Sequence, residues 1–407
     1  MNCRHCKKKI NRSFLDLGNQ PLANSLISPA VRAFKEPKFP LKVFYCDKCF
    51  LVQIEKVVHQ KKIFNKTYPY FSSYSSSWLK HVENYSNKMI KAENLNKNSF
   101  VIEIASNDGY LLQNFKNKKI PCLGIEPTKN TALIAKSKGI ETISKFFSSK
   151  LAIKVIQKYR HPNLIICKNV LAHVPNLNDF ILGLKKLTNK NTIITIEFPH
   201  LLKLIKNFQY DTIYHEHFCY FSLISLEGIF KKFNLKIFDV EEVETHGGSL
   251  RIFACDNQAL KKRTKNVDQI IMNEKNYGIT DKKLYSNFAK NVMQNKKSIL
   301  NFFADCHKKS KTVVAYGAAA KGNTMLNYCK ITSKHVKQIF DLSPHKQNML
   351  MPGSKIKISN PKDIKLFRPD FILILPWNLK KELSSQLRNY KKQGAKFVTF
   401  IPKLNIF

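Results

Sequence analysis

Acidic side chains are scarce in this chain. Asp and Glu number 28 against 69 Lys and Arg, giving a formal charge of +41 over 407 residues. Such a bias suggests nucleic acid. The excess is mostly lysine, however, and lysine, asparagine and isoleucine are abundant everywhere rather than gathered in a patch. Nucleic acid is therefore not the expected partner, and an anionic small substrate would be steered by the same charge. Long apolar runs are missing too, so no segment reads as a membrane span. The N-terminus has no apolar h-region, only Cys3 and Cys6 among polar and basic residues, so no secretory signal is expected. These absences point to a cytoplasmic protein with no membrane partner. In that compartment the ten cysteines read as thiols or metal ligands rather than disulfides. A strict Gly-x-Gly-x-x-Gly is also lacking, which removes the simplest dinucleotide signature. Apolar residues make up 43% of the chain, enough for real cores, and the length suggests two or three domains.

Two Cys-x-x-Cys pairs open the chain, Cys3-Arg4-His5-Cys6 and Cys46-Asp47-Lys48-Cys49. Each pair suits a tight knuckle that points two sulfurs at one ion, and four thiolates complete a closed tetrahedral zinc site. The gap between them is wider than the usual ribbon spacing, and two unconnected reduced pairs are the alternative. A closed site has no open position for a substrate, so such a zinc is structural. His5 is a spare ligand candidate. Between the pairs, Leu17 to Asn24 reads as a turn-rich loop. Beyond them, Tyr68 to Trp78 is aromatic and rich in hydroxyls. It reads as a linker over a pocket, with Ser77 starting a helix from Trp78 to Lys91.

A strand, turn and helix follow at Phe100–Ala105, Ser106–Tyr110 and Leu111–Phe115. The next strand, Cys122 to Glu126, ends on an acid 23 residues beyond Glu103. An acid there can accept both ribose hydroxyls of a nucleoside cofactor; a solvated strand end is the plainer reading. Helices and strands then alternate, with buried strands at Asn163–Cys167 and Thr192–Ile196. The second leads to Asp211-Thr212-Ile213-Tyr214-His215-Glu216-His217-Phe218-Cys219-Tyr220, which concentrates imidazoles, carboxylates and phenols in ten residues. Histidine is the usual proton carrier at neutral pH. Glu216 can orient an imidazole, and Tyr214 can donate to a developing oxyanion. A metal site on His215 and His217, or an ordinary polar loop, are the competing readings. Ser222 is a candidate helix cap. Further on, Gly247 and Gly248 let the backbone beside His246 approach a ligand.

Asp281 to Ser310 reads as a long lysine-rich helix bridging two domains. Thr312 to Tyr316 then runs as a strand into Gly317-Ala318-Ala319-Ala320-Lys321-Gly322-Asn323, and later strands complete a second doubly wound sheet. Lys321 at this turn could meet a phosphate. Alternatively, Gly317 and Gly322 serve close packing alone.

Taken together, these motifs resemble the S-adenosylmethionine (SAM)-dependent C-methyltransferases that act on nucleotide-linked 4-keto deoxysugars. The resemblance spans essentially the whole chain. It rests on the paired Cys-x-x-Cys head, Glu103 to Gly109, Asn169 to Pro175, Tyr214-His215-Glu216-His217 with Tyr220 to Ser222, and His246 to Arg251. It continues through Tyr316 to Asn323 and Leu375 to Leu379. It implies an α/β protein with a small N-terminal zinc-binding domain (residues 1–75), a central class I methyltransferase (Rossmann-like) domain (76–280) and a C-terminal Rossmann-like domain (281–407). The implied cofactors are SAM and a structural zinc on Cys3, Cys6, Cys46 and Cys49. SAM would be held by Glu103, Ala105, Asn107, Asp108, Gly109, Glu126 and Asn169. His217 would remove the proton on sugar C3, with Tyr214 and Glu216 orienting the base or stabilising the enolate. Tyr70, Tyr74, His173, His246, Arg251 and Lys321 would contact the substrate. Methylation of oxygen or nitrogen in another small molecule, and a basic zinc ribbon on nucleic acid, are the alternatives. Monomer and homodimer both remain open.

Overall fold

The computed structural model describes residues 1–31, 36–64 and 71–407. The first strands are β1 (Leu15–Gln20), β2 (Phe39–Tyr45) and β3 (Val52–Ile54). The middle of the chain supplies β4 (Val101–Ile104), β5 (Cys122–Ile125), β6 (Thr142–Ile143), β7 (Leu164–Lys168) and β8 (Ile193–Pro199). After these come β9 (Cys219–Tyr220), β10 (Leu235–Val243) and β11 (Ser249–Asp256). The last part holds β12 (Val313–Tyr316), β13 (Ile339–Phe340), β14 (Ile358–Ser359), β15 (Phe371–Ile374), β16 (Lys396–Thr399) and β17 (Asn405–Ile406).

The N-terminal sheet has the order β1-β2-β3-β9. Its fourth strand comes from far down the chain, with Val52 paired to Tyr220 and Gln53 to Cys219. Leu17 to Gln20, expected in a turn-rich loop, instead lies in β1, where Leu15, Leu17 and Gln20 are buried. The sheet is wedged between two cores. Leu41, Val43 and Tyr45 of β2 join the C-terminal apolar core, while Phe44, pointing the other way, joins the middle one. This two-residue alternation lets one short strand serve both neighbours.

The middle sheet has seven strands in the order β10-β11-β8-β7-β4-β5-β6. β4 to β8 pair in parallel, and β11 is inserted antiparallel to both β8 and β10. Every residue of β4 and β7 is buried, as expected when both faces of a parallel sheet are covered. The chain winds outward from β4 through β5 to β6, then returns to β7 on the other side. This reversal opens a crevice beyond the carboxyl ends of β4 and β7.

The C-terminal sheet has the order β14-β13-β12-β15-β16-β17 and is parallel except for β17. Its own reversal lies between β12 and β15. Here a Cβ added to Gly317 would sit 2.5 Å from Pro376 Cδ, so the backbone after β12 packs directly on the turn after β15.

Five helices matter for the site. α1 (Ser76–Ala92) is capped by Ser75, two residues earlier than expected. α2 (Leu223–Lys232) is capped by Ser222 in a reciprocal pair with Ser225, the arrangement that satisfies two terminal donors at once. α3 (Lys265–Tyr277) was not foreseen from the sequence. α4 (Lys282–Lys308) starts at its cap Asp281. It buries Tyr285, Phe288, Val292, Ile299 and Phe302 in the core shared by the N-terminal and C-terminal sheets. α5 (Ala320–Tyr328) follows β12.

Candidate active site

A cavity of about 700 Å³ lies where the two crevices meet. Its lining comes from the turns after β4, β5 and β7, the loop before β9, the β1–β2 connection and the start of α5.

The turn after β4 shows how the chain manages without the missing glycines. Ala105, Asn107 and Gly109 all take left-handed backbone, with φ of 60°, 49° and 76°. Asparagine tolerates this region and alanine carries the smallest Cβ. The alternating left-handed geometry is retained, and only the third position keeps glycine. A Cβ at Gly109 would meet Ile140 at 2.6 Å. Ala105 and Asn107 line the cavity, whereas Glu103, Asp108 and Gly109 support the turn from behind. Burial pushes the Glu103 carboxyl well above its ordinary range, against the pull of Lys168. The Asp108 carboxylate accepts from the Ser73 hydroxyl, and the Ser72 amide donates to Asn107 Oδ1 at 3.0 Å. The described part of the aromatic linker therefore packs on this turn, and Ser72 and Trp78 reach the cavity.

Glu126 stands at the end of β5, buried at 4% exposure, and lines the cavity. It accepts from the Asn107 amide at 2.9 Å and the Thr128 amide at 2.8 Å. Burial raises its proton affinity, and the Thr128 and Asn107 donors work against that. Asn169, after β7, has φ of 52° and donates through Nδ2 to His246 Nε2 at 3.0 Å. Its buried Oδ1 has no hydrogen-bond partner among the described residues. A left-handed turn, a strand-end carboxylate and an open amide oxygen around one cavity fit a nucleoside cofactor with an amino-acid tail.

The loop before β9 brings the catalytic candidates together. His217 Nδ1 donates to the Thr212 carbonyl at 2.8 Å, which fixes the tautomer and leaves Nε2 as the basic nitrogen. The Tyr214 hydroxyl donates to that Nε2 at 3.0 Å. Burial, then the neighbouring His173, holds the His217 pKa well below its ordinary value, so the ring is neutral at pH 7. His173 packs edge-on with ring centroids 4.7 Å apart and donates through Nδ1 to the Glu216 carbonyl at 2.9 Å. Burial lowers His173 and His246 to about 4. Glu216 is buried, lines the cavity and accepts from Asn24 Nδ2 at 2.7 Å.

Lys321 reaches the cavity from the first turn of α5. Its Nζ donates to Asn378 Oδ1 at 2.7 Å and lies 4.8 Å from the centre of the Trp377 ring. Burial lowers its pKa, and Asp211 opposes the shift.

Two expected substrate residues lie apart from this lining. Arg251, on β11, is committed to a buried ion network instead. It bonds Glu197 Oε2 at 2.9 Å and Glu241 Oε2 at 3.0 Å, and its guanidinium lies over the Tyr85 ring. Tyr74 is 59% exposed and bonds His345 at 3.0 Å. Tyr70 falls outside the described residues. Conversely, the cavity includes Asn24, Trp78, Lys168 and Lys346, which the sequence did not single out. Lys168 carries the one local signal among them, a cation at the end of a buried strand. Its Nζ meets Glu197 Oε2 at 2.5 Å, and burial, opposed by Glu197, brings its pKa to about 8.

The zinc-site residues converge as the spacing requires. The sulfurs of Cys3, Cys6, Cys46 and Cys49 lie within 4.8 Å of one another. The Cys3–Cys49 and Cys6–Cys46 sulfurs are 3.5 Å apart, close to the roughly 3.8 Å edge of a tetrahedron with zinc–sulfur bonds of about 2.3 Å. Gln53 donates to the Cys3 sulfur at 3.3 Å. His5 bonds Asn178 and is not part of the cluster.

Comparison with known proteins agrees with this geometry. Residues 3–64 match a zinc binding domain family, 78–240 a methyltransferase domain and 244–402 the C-methyltransferase C-terminal domain. The chain is 29% identical over 401 residues to the C-methyltransferase NovU of Streptomyces niveus, covering 98% of this chain and 95% of that one. Among solved structures, the PH0226 protein of Pyrococcus horikoshii aligns over 46% of this chain and 94% of its own at 12% identity, with a TM-score of 0.36. The magnesium protoporphyrin IX methyltransferase of Synechocystis PCC 6803, solved with bound SAM, aligns over 43% and 78% at 14% identity and a TM-score of 0.33.

The fold and site thus define a SAM-dependent methyltransferase with a structural zinc module. The zinc-binding, methyltransferase and C-methyltransferase C-terminal matches follow one another along the chain, which over nearly its whole length is similar to a C-methyltransferase.

Proposed function

We propose that the enzyme methylates C3 of a nucleotide-linked 4-keto deoxysugar, with His217 as the base. The observation that carries this reading is the fixed, neutral imidazole of His217 beside the Tyr214 hydroxyl, in the cavity that also holds the Ala105–Asn107 turn. A ketone at C4 acidifies the neighbouring C3–H, so a neutral nitrogen base suffices. His217 takes the proton at Nε2, its one basic nitrogen. The Tyr214 hydroxyl, which donates to Nε2 in the resting site, then turns to the oxygen on which enolate charge develops. Bound SAM supplies an activated methyl group on a sulfonium.

Asn107 and Glu126 hold the cofactor, and Asn169 lies between it and the substrate. His173 buttresses the base. Lys321 reads the phosphates of the nucleotide from the C-terminal domain, consistent with its place in the lining. The cavity lies in the upper half of the range for small-molecule sites, which suits two ligands together.

The test is mass spectrometry on a panel of nucleotide-linked 4-keto sugars in deuterated water, with and without SAM, using wild type and His217→Ala. Deuterium uptake and methyl gain by the wild type, both lost in the variant, are expected. Methyl gain without C–H exchange would transfer the reading to oxygen or nitrogen methylation.

A further inference from the structure

We propose that Asn24, delivered by the zinc module, is a positioning residue for methyl transfer and acts through the Glu216 carboxylate. The inference rests on this cavity being the reaction site.

Asn24 lies between β1 and β2, half-buried, and lines the cavity. Its Nδ2 donates to Glu216 Oε1 at 2.7 Å, across 192 residues of sequence. The side chain is not needed to form its own turn, which closes through main-chain atoms. The Ser25 amide bonds the Leu22 carbonyl at 3.1 Å, and the Leu26 amide bonds the Asn24 carbonyl at 3.0 Å.

At the other end of the contact, described residues hold Glu216 through both its side chain and its main chain. Its side chain meets Asn24, and its carbonyl accepts from His173, whose ring packs on the base His217. The preceding residue is fixed by the same module, because His215 Nε2 donates to the Pro40 carbonyl at 3.2 Å. Asn24 is therefore a polar member of a clamp that helps set the direction of the Glu216 carboxylate inside the cavity. A carboxylate removed from water depends on its donors to stay ionised. Without the Asn24 amide, its proton affinity rises and its orientation relaxes.

The proposal is tested with Asn24→Ala, and with Asn24→Asp, which keeps the size but turns a donor into an acceptor. The Glu216 carboxyl is followed by 13C NMR in glutamate-labelled protein without substrate, its resonance assigned by loss in Glu216→Gln. Zinc content and thermal unfolding report that each variant is folded. The Glu216 pKa is expected to rise by roughly one to two units in Asn24→Ala, the worth of one hydrogen bond to an ionised group, and further in Asn24→Asp. With a methyl acceptor in hand, kcat should fall about tenfold with KM little changed, and the acid limb of the pH profile should rise by about the same one to two units. In a Glu216→Gln background the Asn24 substitution should add less than about twofold.

An unmoved Glu216 titration in folded variants overturns the proposal, as does an Asn24 effect that persists in full without the Glu216 carboxylate. If the wild type acts on no keto sugar, the substrate reading fails separately, and the NMR titration alone decides the Asn24 coupling.

Discussion

The indole nitrogen of Trp377 donates to the buried carboxylate of Asp211 at 2.7 Å. This contact ties the turn after β15 to the start of the loop that carries His217, and Thr324 of α5 adds a hydrogen bond from its hydroxyl to the Ile213 carbonyl at 3.0 Å. The C-terminal domain thus grips residues 211–213, while the zinc module grips 215–220. Burial raises the Asp211 pKa to about 6, opposed by Lys321 and the Trp377 donor. Trp377→Phe keeps the ring and removes the donor. It should cost about 1.5–3 kcal/mol in denaturant unfolding and lower kcat more than it changes SAM affinity, which titration calorimetry would measure.

His217→Ala should lower methyl transfer by about 10²–10⁴-fold, the usual worth of a positioned base. SAM binding should stay within about threefold, because the Ala105–Asn107 turn belongs to another part of the cavity. A comparable loss of SAM affinity would mean that the loop and the cofactor turn are one unit.

Two partly buried histidines make stability depend on pH in a definite direction. His173 and His246 ionise near 4 in the folded chain and near 6.5 when unfolded. Between these values the unfolded chain binds more protons, so their contribution to stability is complete above about 6.5 and is lost as pH falls toward 4. Asp211 and Glu126 act in the opposite direction, so the clean measurement is a difference. His246→Asn, chosen because asparagine accepts the φ of 56° there, should lose less stability than wild type between pH 7 and pH 4.5. The gap should be roughly 1–3 kcal/mol after allowing for solvent in the cavity.

Cys46→Ser should remove stoichiometric zinc, read by elemental mass spectrometry. Because β3 pairs with β9, loss of the knuckle should loosen the loop that carries His217 and reduce kcat. SAM affinity should change little, since β4 and β5 lie in the middle sheet.

Glu197→Gln should act on stability more than on substrate affinity. Glu197 neutralises Lys168 and Arg251 inside the fold. Burial favours its protonated form, but Lys168, His81 and Arg251 outweigh that and hold it well below the carboxylate range. Removing its charge leaves two buried cations short of a partner, at a cost of about 3–5 kcal/mol in denaturant unfolding. A larger effect on KM than on the unfolding midpoint would return Arg251 to the substrate site.

Local chemistry made much of this legible in the sequence. The apolar runs at β4, β7 and β8 announced a buried parallel sheet, Ser222 announced a helix start, and the cysteine spacing announced one ion site. What stayed hidden depends on distant partners. Nothing near Asn24 indicates Glu216, nothing in Cys219–Tyr220 indicates β3, and Arg251 looks like an anion-binding residue until Glu197 and Glu241 stand beside it. The left-handed Ala105 and Asn107 were obscured for another reason: the backbone geometry was kept while the glycines that usually mark it were replaced.

The pairing of Gln53 with Cys219 also fixes an order of events at the ribosome. Until residue 220 has emerged, β3 is the bare margin of a three-stranded sheet, with amide and carbonyl groups open to any other extended chain. The head of the protein can bind its zinc early, but it cannot close its own edge. It is sealed by the strand that follows His217, so the last step in finishing the first sheet is also the step that sets the His217 loop in place.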